Sequence, residues 1–506
     1  MITRTLSRRQ FLPLATLTAS RLFAQRPANR PNIIFILADD LGWGDVSCNN
    51  SKSRIPTPNI DRIANEGVRF TNAHTPSAVC SPTRYGLLTG RYPWRTAMRE
   101  GVLYSFCPAL IHKGRMTLGS MLQRQGYATG AFGKWHVGLD WTPVPGDPGD
   151  WEYGTPVRMT WKRLHARVDA RKPFRNGPTD VGFDTFFGIA DNTGFKVFLE
   201  NDHVQEGTVF SNGVWSTPGF KRDEVDDLFT DRAIQFMEKN ASKPFFVYLP
   251  LTAPHVPETP PKRLEGKSGD GRRGDMCMWV DENVGKVLAT LDRLKLKEDT
   301  LIIFSSDNGA FFNGDRKTWT PVSEHRPSGA YRGYKTDAWD GGTHVPFVAR
   351  WPGHIPAKTV QKDLLCLTDM LATFASVTQA SLPEWAGEDS FNQLPAMLSK
   401  SAAPARTSLI THSYTGIYSI RDGDWKAVFD TEGSGGHRGI TPEWQPIVHG
   451  IPEDPGSGGV GQLYNLAKDP YEKQNLWKEH PEVVERLQKL FRQYWGSGRS
   501  RPAGNS

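Results

Sequence analysis

Cysteine is scarce. Cys48, Cys80, Cys107, Cys277 and Cys366 are the five present in 506 residues, and they form no CxxC pair and no dense framework. That excludes a disulfide-stapled scaffold and leaves an odd thiol that asks for a reason. Blocks of one charge are missing too. The 61 Lys and Arg exceed the 54 Asp and Glu by +7, too dilute an excess for a nucleic-acid footprint, and no zinc-finger or RNA-binding motif accompanies it. No stretch beyond the N-terminal segment reaches the ~18–20 uninterrupted apolar residues of a membrane helix, so no membrane span is expected. Internal repeats are absent. With 38% hydrophobic, 11% aromatic and 23% charged residues, the chain is neither disordered, coiled-coil nor collagen-like. Glycine (49) and proline (37) are what it has in quantity, which implies many loops between short elements.

The N-terminus carries a twin-arginine pattern, Ser7-Arg8-Arg9-Gln10-Phe11-Leu12. A short apolar run over 11–19, then Arg21 and a small-residue cleavage position after Ala24, complete an export signal over 1–24. Arg21 after the apolar run suits the twin-arginine route, which moves folded proteins. The mature protein is therefore expected to be periplasmic or secreted from a bacterium. Arg4, Arg8, Arg9 and Arg21 lie in this segment without an acid, so part of the net charge is an export address.

Apolar runs at 32–38, 128–132, 245–249, 301–304 and 345–349 lack alternation and read as buried parallel strands. An amphipathic helix falls over 280–294, with Val280, Val284, Val287, Leu288, Leu291 and Leu294 on one face. Strands alternating with helices predict an α/β fold with a large, mostly parallel sheet flanked by helices. Pro/Gly-rich segments at 142–156 and 266–274 read as surface insertions. After about residue 400 the pattern changes to short antiparallel strands around Arg421-Asp422-Gly423-Asp424, a loop over 433–461 and a helix over 481–495. The expected division is a catalytic domain over 25–400, a small α+β subdomain over 401–495 and a disordered tail over 496–506.

Functional sites in open parallel sheets lie beyond the carboxyl ends of the strands. The first strand runs into Asp39-Asp40, and the strand at 301–304 into Ser305-Ser306-Asp307-Asn308-Gly309. Three carboxylates and an amide oxygen converging there make a hard-oxygen site suited to Ca²⁺ or Mg²⁺. Two further strands lead to Lys134 and His136 and to His255, groups that fit acid/base handling of an anionic ester. The remaining motif is Cys80-Ser81-Pro82-Thr83-Arg84 running to Leu88-Thr89-Gly90-Arg91. Pro82 reads as the first turn of a helix and Gly90 as its end, which puts Cys80 at a helix N-terminus, where an anion is favoured.

These residues closely resemble the formylglycine-dependent sulfatases of the alkaline-phosphatase-like superfamily. The likeness extends through Gly133-Lys134-Trp135-His136, Gly182-Phe183-Asp184 and Ala253-Pro254-His255. It continues through Ser306-Asp307-Asn308-Gly309, Arg332-Gly333-Tyr334-Lys335, Gly341-Gly342 and Leu463-Tyr464-Asn465-Leu466. One departure is Asp340, where the family usually has Glu; only the packing around the site is expected to change.

The resemblance implies a sulfuric ester hydrolase acting on a sulfated carbohydrate or aryl sulfate. It implies that a separate maturation enzyme, a partner of the nascent chain, oxidises Cys80 to Cα-formylglycine (3-oxoalanine), whose hydrate is the nucleophile. One hydroxyl of the hydrate attacks sulfur and the second expels sulfate. Asp39, Asp40, Asp307 and Asn308, with the modified Cys80, would hold Ca²⁺, with Mg²⁺ less favoured. Arg84 and Lys134 would stabilise developing charge, His136 would assist elimination, and His255 and Lys335 would bind sulfate and protonate the leaving oxygen. Lys134 would also contact sulfate. Sugar contacts are expected from loops at 142–178, 200–203, 324–326 and 433–461, with His203 and His325 as candidate substrate ligands and His344 as another. The alternatives are a phosphoester or phosphonate monoester hydrolase of the same superfamily and an inactive glycan-binding protein.

Overall fold

The computed structural model describes residues 30–149, 161–192, 196–312, 314–315, 320–321, 323–431, 433 and 460–502. The expected export segment over 1–24 and most of the 433–461 loop lie outside these residues. The chain builds one ten-stranded sheet: β1 (Asn32–Ala38), β2 (Val68–Phe70), β3 (Ala128–Lys134), β4 (Thr185–Ile189), β5 (Leu199–Glu200), β6 (His203–Val204), β7 (Phe245–Pro250), β8 (Thr300–Ser306), β9 (Phe347–Arg350) and β10 (Thr359–Gln361). Their order across the sheet is β10-β2-β9-β8-β1-β7-β3-β4-β5-β6. The central five, from β8 to β4, run parallel.

All seven β1 side chains are buried, which is why its sequence shows no alternation. Ile33, Phe35 and Leu37 enter the core on one face, with Leu87 of helix α1 (Cys80–Thr89). Ile34, Ile36 and Ala38 enter the core on the other face. There they join Phe229 of α2 (Val225–Lys239) and Val280 and Val284 of α3 (Gly271–Arg293). The sheet is therefore sandwiched between helical layers.

Three expectations change. The run at 345–349 forms β9, which pairs antiparallel to β8; a short apolar run carries no information about direction. The helix expected over 280–294 begins at Gly271, so the end of the supposed 266–274 insertion is its first turn, with Gly271 and Arg272 exposed and Arg273 and Gly274 buried. The tail is not disordered through residue 502. The last helix, α4 (Pro481–Ser497), runs past 495, and Ser500 donates from its backbone and hydroxyl to Asp389 at 2.9 and 2.8 Å.

After residue 400 a four-stranded antiparallel sheet forms from β11 (Ser408–His412), β12 (Tyr418–Asp422), β13 (Trp425–Val428) and β14 (Gln462–Asn465). Val484, Leu487 and Phe491 of α4 cover it together with Tyr92 and Trp94 of the larger unit. The five cysteines form no disulfide. Among the described residues no helix is long and apolar enough to cross a membrane.

Candidate active site

Parallel pairing brings the ends of β8, β1, β7, β3 and β4 to one rim. Gly133 has φ +135°, and a Cβ there would sit 2.0 Å from the Pro250 carbonyl oxygen; only glycine lets β3 and β7 approach closely as Lys134 emerges. Cys80 opens α1, a helix with every residue buried, after Val79 in extended conformation. Pro82 falls in the first turn, where no backbone N–H is needed.

Carboxylate oxygens of Asp39 and Asp307 and the Cys80 sulfur lie within 4.8 Å of one another, as do ligand atoms of Asp39, Asp40 and His255. Asp40 adopts φ +68°, a left-handed turn that an Asp tolerates. Its Oδ1 accepts from Asn308 Nδ2 at 2.8 Å and lies 2.6 Å from Lys335 Nζ. Lys134 Nζ donates to Asp39 Oδ2 at 2.6 Å. Arg84 donates to Asp307 Oδ2 through Nε and Nη2 at 3.0 and 2.7 Å, and through Nη1 to the Lys134 carbonyl at 2.8 Å. Asp39 Oδ1 and Asn308 Oδ1 are buried and accept no hydrogen bond. Two orphaned hard oxygens among buried carboxylates are the signature of a cation position, so this set fits Ca²⁺ or Mg²⁺.

The electrostatics agree. Burial works against the Asp39 charge, yet Lys134, His255, Arg84 and Lys335 outweigh it and hold the carboxyl well below its usual range. For Asp307 burial and the Asp39 charge prevail over Arg84 and push the carboxyl up. A dication between them would relieve that repulsion. Burial also raises the Cys80 thiol, against Lys134 and Lys335. A thiolate nucleophile needs the opposite shift.

His136 Nε2 lies 2.6 Å from the Leu103 carbonyl oxygen. A carbonyl only accepts, so Nε2 carries the hydrogen and the buried, unpartnered Nδ1 is the basic nitrogen. Burial, with Lys134 and Arg84 beside it, keeps this ring neutral. His255 is oriented by the same device: Nδ1 donates to the Val256 carbonyl at 2.6 Å, turning Nε2 toward Asp40 Oδ2 at 3.8 Å. Burial and Lys335 lower it to about 4.

Residues 31–380 match the Sulfatase family model. The chain belongs to the sulfatase family. It is 34% identical to the N-acetylgalactosamine-6-O-sulfatase of Bacteroides thetaiotaomicron, over 92% of this chain and 93% of that protein. It is 32% identical to Arylsulfatase A of Homo sapiens, over 93% of this chain and 88% of that one. A solved 6S-sulfatase from a glycosaminoglycan-metabolism locus of Bacteroides thetaiotaomicron superposes with a TM-score of 0.76 at 31% identity, covering 92% of this chain and 99% of that chain. This sulfatase is a sulfuric ester hydrolase.

The structure brings Asp39, Asp40, Cys80, Arg84, Lys134, His136, His255, Asp307, Asn308 and Lys335 of the sulfatase to one rim. It does not bring His203 there. That residue is exposed on β6, at the sheet edge, and pairs with its neighbour Asp202 at 2.6 Å. His325 is buried with both ring nitrogens engaged: Nε2 lies 2.9 Å from Asp45 Oδ1, and Nδ1 accepts from the Arg54 backbone at 3.3 Å. Neither nitrogen is left for a ligand. Instead His325 belongs to a relay in which Asp45 binds Arg273, and Arg273 donates to the Asp40 carbonyl at 3.1 Å. His344 is also buried, with Nε2 2.9 Å from the Thr71 carbonyl oxygen; its Nδ1 has no hydrogen-bond partner among the described residues, and the ring sits in a cluster with His74 and Asp340. Replacing His325 by glutamine should therefore cost ~1–3 kcal/mol of folding stability, through a weakened buried partner for Asp45, and leave KM unchanged. Urea denaturation alongside steady-state kinetics checks this; a KM effect with unaltered stability would restore the ligand role.

Sequence reasoning missed Asn192, whose Nδ2 donates to Asp39 Oδ2 at 2.7 Å. The signal was available, since Asn192 follows β4 at the same rim. It also missed Asp226 at the start of α2. That carboxylate accepts from the Thr252 backbone and hydroxyl and the Ala253 backbone at 2.8–2.9 Å, fixing the loop that carries His255. Asp340 lies apart from the carboxylate set, 2.7 Å from Lys426 Nζ, with Glu472 closing the cluster at 2.8 Å. Gly341 explains its own identity, since a Cβ there would meet the Gly333 carbonyl at 2.1 Å, on the loop that carries Lys335.

Proposed function

We propose that this sulfatase removes sulfate from a sulfated carbohydrate, with Cys80 converted to Cα-formylglycine and Ca²⁺ held by Asp39, Asp40, Asp307 and Asn308. The observation that carries the reading is the Cys80 position: first residue of a buried helix, within 4.8 Å of the Asp39 and Asp307 carboxylates. Four oxygen-bearing residues in an irregular set suit Ca²⁺ better than Mg²⁺, which demands near-ideal octahedral geometry. The carbohydrate part draws on the similarity to an N-acetylgalactosamine-6-O-sulfatase. When bound, the cation would supply positive charge where the ester's sulfate oxygens gather negative charge, and hydrated formylglycine would supply a second hydroxyl for releasing sulfate.

The chain's own residues do the rest. Lys134 and Lys335, both buried cations, bind the sulfate and hold it against the carboxylates they already pair with. His136 Nδ1 takes a proton, being neutral and oriented by Leu103. His255 Nε2 faces the same space and delivers a proton to the departing oxygen once the anionic ester opposes the depression of its pKa. Arg84 has its donors committed to Asp307 and the Lys134 carbonyl, so it acts by fixing them.

Cys80 is only 2% exposed in the folded protein, so the maturation enzyme must meet it before folding. The twin-arginine segment then exports the folded, modified sulfatase to work outside the cytoplasm.

The test is hydrolysis by protein coexpressed with a formylglycine-generating enzyme. The expected order is N-acetylgalactosamine 6-sulfate and p-nitrophenyl sulfate turned over, p-nitrophenyl phosphate far slower. Inactivity on a broad sulfated panel, with formylglycine confirmed by mass spectrometry, sinks the reading. Calcium at about a hundred times its Kd should stabilise the protein by about 2.7 kcal/mol, and Asp39→Ala should erase that shift. A melting temperature indifferent to chelator would count against the cation site.

A further inference from the structure

Two tyrosines from opposite ends of the chain meet beside the nucleophile. Tyr104 follows Leu103, whose N–H donates to the hydroxyl of Ser81 at 3.0 Å and whose carbonyl orients His136. Tyr414 comes from the C-terminal subdomain. Its N–H donates to the carbonyl of Thr336, next to Lys335, at 3.0 Å, and its carbonyl accepts from Gly101 at 2.7 Å. The preceding His412 carbonyl accepts from Ala78, two residues before Cys80, at 2.9 Å. Each ring is thus tied by backbone bonds to a segment carrying catalytic groups.

The two phenols hydrogen-bond each other. Both are half-buried. Cys80, Lys335 and Glu100 lie within electrostatic range of Tyr414, and Asp191 within range of Tyr104. Arg222, which donates to the Asn192 carbonyl at 3.1 Å, is the cation near Asp191. One catalytic cation, Lys335, and two carboxylates, Glu100 and Asp191, thus lie near enough to act on this pair.

We propose that the Tyr104–Tyr414 pair is the subsite for the departing alcohol and is built for an uncharged sugar ring. This rests on the reading above that the substrate is a sulfated carbohydrate. Ring faces cover the apolar C–H face of a sugar and the Tyr414 hydroxyl addresses its oxygens. Glu100 and Asp191 accept from sugar hydroxyls and repel a uronate carboxylate.

Calorimetry on the Cys80→Ala protein gives a readout that does not depend on turnover. Tyr414→Phe in that background should weaken N-acetylgalactosamine 6-sulfate binding about tenfold, the worth of one hydrogen bond, while inorganic sulfate binds as before. Tyr104→Phe, which removes the phenol that steadies Tyr414, should act in the same direction. A purely structural role would weaken sugar sulfate and inorganic sulfate together. That result overturns the subsite, as does no change with either ligand, no binding of any neutral sulfated sugar, or tighter binding of a sulfated uronate. In the active sulfatase Tyr414→Phe should lower the ratio of kcat/KM for the sugar to that for p-nitrophenyl sulfate. Should the formylglycine-bearing protein hydrolyse nothing, the proposed function fails, and the binding contrast still decides the subsite.

Discussion

Replacing Cys80 with alanine should abolish sulfate ester hydrolysis, with kcat/KM falling on the order of 10⁴-fold or more. The size follows from the site. Lys134, Lys335, His136 and His255 remain to bind the ester and move protons, but nothing remains to attack sulfur. Folding should be nearly indifferent, because the Cys80 side chain offers one small buried sulfur whose charged form the site disfavours. Truncating it costs roughly 1 kcal/mol. A serine at the same position is the sharper experiment. It restores one attacking oxygen and no second hydroxyl, so product alcohol should appear as a single stoichiometric burst and the protein should gain the mass of one SO3 group. Mass spectrometry of the intact chain and rapid-mixing assays read both outcomes. Steady turnover by Cys80→Ser would show that water reaches sulfur directly and would remove the reason for the proposed modification of Cys80.

The parts of this site legible in the sequence are those written contiguously at strand ends. Asp39-Asp40, Lys134 and Asp307-Asn308 follow apolar runs directly, and the parallel sheet carries all of them to one rim. Cys80 and Arg84 are four residues apart on one helix, so their spacing already fixes their relation. What could not be read depends on contacts across long sequence distances. His325 and Asp45 are 280 residues apart, and a polar loop near the site cannot reveal that both ring nitrogens are spoken for. The same holds for Ser500, 111 residues from Asp389: the end of the chain looks polar and unstructured, yet it satisfies a fully buried carboxylate. Strand direction escapes for another reason. The apolar run behind β9 is uniformly buried, and burial on both faces is the same whichever way a strand points.

The C-terminal subdomain reaches the chemistry by two routes. One is Tyr414. The other is the strap on the loop that carries Lys335: Arg332 Nη1 donates to the Tyr464 hydroxyl and the Glu472 carbonyl, both at 3.0 Å, and its guanidinium lies 3.8 Å above Trp339. Lys426, bridging Asp340 and Glu472, closes this cluster out of contact with water. A sheet that contributes none of the carboxylates thus fixes where Lys335 sits, one of the two lysines proposed to bind sulfate.

Removing the Arg84 side chain should be costly for stability and activity together. The guanidinium is fully buried, holds Asp307 through two donors, satisfies the Lys134 carbonyl through a third, and stands 3.6 Å from Asp39. Arg84→Ala therefore strands the buried Asp307 Oδ2 and one backbone oxygen at once, and removes a cation from beside Asp39. Breaking a buried ion pair from one side costs ~3–5 kcal/mol. Asp307, already pushed toward its neutral form by burial and by Asp39, would lose the cation that opposes this shift and take up a proton. A protonated Asp307 is a poor ligand, so calcium affinity should fall, and kcat/KM by on the order of 10²–10³-fold. Arg84→Lys separates the two effects. A single ammonium can restore charge beside Asp307 but cannot span Asp307 and the Lys134 carbonyl in fork geometry. It should recover much of the stability and little of the activity. Urea denaturation, calcium titration and kinetics on both variants decide the matter. If Arg84→Ala stays within ~1 kcal/mol of the parent and keeps its turnover, the guanidinium is not what holds the carboxylates of this site in place.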